Sequence, residues 1–100
     1  LFWNAMMIKP VPDPPRTAHT HFATCHDTHP PLFAVCEGAS LENALVHLSL
    51  SLASAYETNY QLCESGGKPV QGLAWATQHA LEISQALVES LLKGVRQSQA

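Results

Sequence analysis

Charge is what this sequence has least of. Only 13% of its residues are Asp, Glu, Lys or Arg, about half the usual share. Five Lys and Arg stand against eight Asp and Glu, a formal net charge of -3. That excludes an ordinary nucleic-acid binder, because nothing in the chain neutralises a row of phosphates. Long apolar runs are missing as well. The longest, Leu32 to Cys36, has five residues, against about 20 for a membrane-spanning helix. Cysteines number three, with no C-x-x-C pair. No basic region precedes the first apolar stretch, and Lys9-Pro10 cuts that stretch short, so no secretory signal is expected. The thiols are then expected to be free, in a reducing, cytoplasmic setting. Met6 or Met7 reads as the natural start, with Leu1 to Ala5 as upstream sequence.

What is present divides the chain. One hundred residues allow one small domain, or a domain with a tail. Six of the seven prolines fall within residues 9–31: Pro10, Pro12, Pro14, Pro15, Pro30 and Pro31. Each lacks an N–H and fixes φ, so no helix runs through them. Few apolar residues lie between, and a disordered or loosely draped arm is expected over residues 1–31. Leu32-Phe33-Ala34-Val35-Cys36 follows as a short extended segment, residues 32–39, closed by Glu37-Gly38. No second strand candidate is evident, so this segment is expected to pair with a symmetry mate or to lie across helices.

From Ser40 the period changes. Ser40 reads as an N-cap and Glu42 suits the positive end of a helix. Leu41, Leu45, Leu48, Leu52, Ala55, Asn59 and Leu62 step by threes and fours, the spacing of a helix seam. A helix is expected over about 41–64. Ser65-Gly66-Gly67-Lys68-Pro69 breaks it. A second helix is expected over about 70–96. Leu73, Ala76, Ala80, Ile83, Leu87 and Leu91 form one stripe on it, and Leu81, Val88, Leu92 and Val95 a second. Gln78, Glu82, Gln85, Glu89, Lys93 and Arg96 are expected on its wet face.

The fold class expected is all-α: an antiparallel two-helix hairpin over residues 40–97 behind a Pro/His-rich extended arm. Both helices carry apolar faces wider than one line of contact, and so small a core seldom supplies more than about 3–5 kcal/mol. A homodimer stacking two hairpins into a four-helix bundle is the economical solution. Leu45, Leu48, Leu52, Leu73, Ala80, Ile83, Leu87 and Leu91 are the residues expected to carry it. The partner expected is another copy, or a protein whose identity the sequence does not give; nucleic acid and membrane are not expected partners.

Other constellations carry side chains capable of chemistry. His19, His21, Cys25, His26, Asp27 and His29 are metal-ligand types within eleven residues. Their spacing fits no structural zinc pattern, so the ordinary reading is a solvated His-rich arm, and a metal-binding role is the alternative. His26 beside Cys25 gives no catalytic pair without a scaffold. His47 and His79 read as hydrogen-bonded structural histidines, and Tyr56, Tyr60 and Trp75 as helix-packing anchors, the two tyrosines also being the first candidates for a partner surface. Gly66-Gly67-Lys68-Pro69 lacks the strand and hydroxyl of a phosphate loop. No cofactor is expected and the chain is not expected to be an enzyme.

One further pattern covers about residues 9–95. Lys9-Pro10-Val11-Pro12-Asp13-Pro14-Pro15 is followed by Pro30-Pro31-Leu32-Phe33-Ala34-Val35, then Leu41-Glu42-Asn43-Ala44-Leu45, a Tyr56-Glu57 helix and Leu73-Ala74-Trp75 on a second helix. In this order of parts the chain resembles a family of short bacterial proteins, common in pseudomonads, that carry only a domain-of-unknown-function label. The resemblance implies a small cytoplasmic, helical, non-enzymatic protein, and supplies no site residues.

Overall fold

The computed structural model describes residues 15–98. The expectations for Met6, Met7, Pro10, Pro12 and Pro14 lie outside the described residues. The chain divides at Ser40 into two units.

The first unit is built on a small antiparallel sheet. Strand β1 (Thr20–Phe22) pairs with β2 (Phe33–Val35), setting Thr20 opposite Val35, His21 opposite Ala34 and Phe22 opposite Phe33. This corrects the expectation that the Phe33 segment has no partner within the chain, and with it the all-α class. The molecule is mostly helical with a small sheet. Phe22 and Phe33 stack across the ladder with ring centroids 5.8 Å apart, a cross-strand aromatic contact of the kind that adds several tenths of a kcal/mol.

Thr17 closes the open end of this unit. Its amide donates to the Ala39 carbonyl (2.9 Å) and its carbonyl accepts from the Gly38 amide (2.9 Å). Its hydroxyl donates to the Cys36 carbonyl (2.8 Å) and accepts from the Ala39 amide (3.0 Å). Arg16 Nη1 adds a bond to the Gly38 carbonyl at 2.7 Å. Gly38 sits at φ +89°, where a side chain would be strained. Backbone and threonine bonds therefore order a segment that has almost no core, which a count of apolar residues does not foresee.

The second unit is a helical hairpin. Helix α1 spans Leu41–Ser65 and helix α2 spans Lys68–Ser98. Only Gly66 and Gly67 separate them. The Gly66 amide donates to the Leu62 carbonyl at 2.8 Å. A Cβ on Gly66 would lie 2.6 Å from that carbonyl oxygen, so glycine is required there. Pro69 falls in the first turn of α2, where its missing N–H is no loss. At the far end Arg96 Nε bonds Glu42 Oε2 at 2.9 Å, and Lys93 pairs with Glu89 one turn earlier at 3.2 Å.

Candidate functional site

The seam inside the hairpin is narrower than the apolar surface of its helices. On α2 the residues turned from solvent include Gln71, Ala74, Gln78, Leu81, Gln85, Val88, Leu92 and Val95, spaced alternately by three and four, and Ser84 is partly covered beside them. On α1 the seam residues are Leu45, Leu52, Tyr56, Asn59 and Cys63, with Leu41, Glu42, Ala44 and Val46 partly covered at its start. The expected stripe of Leu81, Val88, Leu92 and Val95 is thus the seam. Gln78 and Gln85, expected on the wet face, belong to it too.

Glutamine is tolerated in the seam because Asn59 meets it. Asn59 Nδ2 donates to the Ala74 carbonyl and to Gln78 Oε1, both at 2.8 Å. Gln78 is only 2% exposed, and its Nε2 finds no acceptor among the described residues. One turn on, Gln71 Nε2 reaches the Cys63 carbonyl at 3.4 Å. Burial pushes the Cys63 thiol above its ordinary pKa, and the Glu64 charge adds to the shift. Tyr60 is also raised, chiefly by its hydrogen bond to Glu64.

Outside the seam the hairpin has two unlike sides. The Tyr60 and Trp75 rings meet edge to face across the two helices, centroids 6.5 Å apart, on one side. Glu57, Glu64, Glu82, Glu89 and Lys93 are exposed and flank that side. On the opposite side Leu41, Leu48, Ala55 and Leu62 recur every seven residues along α1. In an antiparallel pair that flank of α1 borders the flank of α2 bearing Leu73, Ala80, Leu87 and Leu91. Leu73 is 72% exposed, Leu87 60%, Leu91 57% and Leu48 46%. Ile83 lies half exposed at the outer edge of this face. No Asp, Glu, Lys or Arg occurs among these positions.

The eight residues expected to carry association therefore separate. Leu48, Leu73, Ala80, Ile83, Leu87 and Leu91 are exposed. Leu45 is buried and Leu52 half-buried in the intrahairpin seam, so these two hold the hairpin itself. Leu62 and Ala55 join the outer face, and their seven-residue spacing from Leu48 is the signal that marks them.

The ligand-type residues of the first unit do not converge as a set. Among the described residues no group of three or more His, Cys, Asp or Glu is placed to hold a metal. Cys25, His26 and Asp27 lie in the loop between the strands, each at positive φ. The His29 ring bonds through Nδ1 to the Pro30 carbonyl at 2.7 Å. Only His19 and His21 come together, Nε2 to Nε2 at 3.0 Å. His47 and His79 are exposed on separate helices. No described helix is long and apolar enough to cross a membrane. Comparison with protein-family models, with curated proteins and with solved structures finds no match to this chain.

Proposed function

We propose that this chain is a self-associating interaction module, in which two copies bury their charge-free faces against each other as a four-helix bundle. The observation that carries this reading is the Leu48–Leu62 and Leu73–Leu91 face, rich in leucine, free of charge and exposed on a single hairpin. Inside that hairpin only Leu45, Cys63, Ala74, Gln78 and Val88 are buried among the described residues. Five such side chains, two of them small and one an amide, are a meagre core for 56 helical residues, 25 in α1 and 31 in α2.

A second copy is the occupant that fits. A twofold interface presents one patch to itself, and a patch without charge of either sign meets no repulsion from its own image. The face is also layered in a way that suits this. Leu48 lies roughly level with Leu87, Ala55 with Ala80, and Leu62 with Leu73, as follows from the Asn59–Gln78 and Glu42–Arg96 pairings. The alanine layer is flanked on each side by leucine layers. Paired face to face about that layer, two copies bring alanine against alanine and leucine against leucine, and the small residues allow the helices to approach.

Thermal unfolding at several protein concentrations tests the reading. A bundle of two chains gains stability by mass action, so its Tm rises with concentration. Leu87→Lys, which places a charge in the leucine layer, lowers Tm and removes the dependence. A Tm independent of concentration in the unmodified chain contradicts it.

A further inference from the structure

The first unit holds one pair of side chains that the interaction reading does not use. His21 lies in β1 and His19 immediately precedes that strand, and their rings come together on one side. Their rings stand at 86°, centroids 4.5 Å apart, and their Nε2 atoms are 3.0 Å apart. Both are exposed. A neutral imidazole has one N–H and one lone pair, so this contact is held by a single proton between two nitrogens.

A cation that replaces the proton takes the Nε2 lone pair from each ring, the displaced proton passing through solvent to Nδ1 of the ring that carried it, so that both imidazoles stay neutral. Two nitrogens 3.0 Å apart, each about 2.0 Å from one ion, subtend about 95° at it. That is close to the cis angle of a square-planar or tetragonal site, the geometry of Cu2+ and Ni2+ with nitrogen and oxygen ligands. A tetrahedral ion at the same bond length asks for a nitrogen separation of about 3.3 Å. The affinity order of divalent first-row ions also places Cu2+ above Ni2+ and Zn2+.

We infer that His19 and His21 form a two-imidazole chelate for a divalent late transition-metal ion, with Cu2+ preferred over Zn2+ and water completing the coordination. The pairing of β1 with β2 holds the His21 backbone opposite Ala34, and His19 lies one residue before the paired strand. Thr20, between them in sequence, projects to the other face of the sheet and leaves the chelate open to solvent.

The test is titration of the full chain, free of any histidine tag and stripped with chelator, with Cu2+ and separately with Zn2+. Calorimetry gives stoichiometry, and electron paramagnetic resonance of the Cu2+ sample counts coordinated nitrogens. One Cu2+ per chain with two imidazole nitrogens is expected, with Zn2+ weaker. His19→Gln or His21→Gln is expected to weaken Cu2+ by more than about tenfold, because even outer-shell partners of a metal ligand are worth that much. His26→Gln and His29→Gln should bind as the unmodified chain does. Circular dichroism verifies that each variant stays folded. Binding that survives loss of both His19 and His21, that needs His26 or His29, that favours Zn2+, or that is absent altogether overturns the inference.

Discussion

At the scale of single residues, a half-buried Asn59 and a buried Gln78 decide how the hairpin is aligned. Asn59 gives both of its amide protons to α2, one to the Ala74 carbonyl and one to Gln78 Oε1. Replacing Asn59 by Leu leaves a buried amide with neither polar atom satisfied, a cost of about 1–3 kcal/mol. Replacing both Asn59 and Gln78 by Leu removes the penalty along with the pair, so the double variant should be more stable than Asn59→Leu alone. Urea denaturation of the two single variants and the double measures the coupling. A double variant no more stable than Asn59→Leu would show that the amide pair is not what the single change disturbs.

Cys63 offers a second check at this scale. Cys25 and Cys36 are exposed and Cys63 is buried, so a thiol reagent should label two cysteines quickly and the third only as the hairpin opens. The folded Cys63 thiol has a raised pKa. Its neutral form is therefore favoured by folding. This contribution is fully present below the unfolded thiol's pKa of about 8.5 and is lost as pH rises through the folded value. Stability followed from neutral to alkaline pH should fall in that window, and less steeply in Cys63→Ala.

Elements were legible in the sequence to different degrees. The helices were readable because a period of three and four recurs over many turns, and their expected limits of 41–64 and 70–96 lie within a few residues of Leu41–Ser65 and Lys68–Ser98. Which stripe packs inside was not. Leu73, Ile83, Leu87 and Leu91 are larger and more apolar than Gln71, Gln78 and Gln85, so hydrophobicity favours the wrong face. The discriminating signal is that the glutamines recur every seven residues in phase with Ala74, Leu81 and Val88, and that Asn59 supplies Gln78 a partner. Strand β1 was hidden for another reason. Thr20-His21-Phe22 has no apolar alternation of useful length, and its partner bonds belong to the backbone.

The loop joining the strands stores strain that sequence patterns do not announce. Ala23, Cys25, His26 and Asp27 have φ of 69, 49, 57 and 64°, a conformation costing an L-residue roughly 1–2 kcal/mol. Thr24 holds it in place, accepting from the Asp27 amide on its hydroxyl (3.1 Å) and from the Thr28 and His29 amides on its carbonyl (3.0 and 3.2 Å). Ala23→Gly should relieve part of this strain and slow hydrogen exchange at the Thr28 and His29 amides. Faster exchange there would mean that the lost side chain matters more than the backbone geometry.

At the scale of the whole molecule, the dominant fact is an imbalance. The hairpin buries few side chains, and leaves exposed a face of five leucines, Leu48, Leu62, Leu73, Leu87 and Leu91, that are far enough apart in sequence and near enough in space to act as one surface. Fully burying a leucine contributes about 1.5–3 kcal/mol, so covering even part of this face outweighs anything the amide pair or the Glu42–Arg96 bond supplies. The proposed metal chelate lies in the other unit and is independent of this claim, because loss of either would leave the other standing.

Light scattering of the full chain at micromolar concentration is the most direct measurement of the central claim. Two copies joined through the leucine face give twice the 10.9 kDa mass of one chain, and Leu87→Lys returns the mass to that of a single chain. A folded, unmodified protein that scatters as 10.9 kDa contradicts the account.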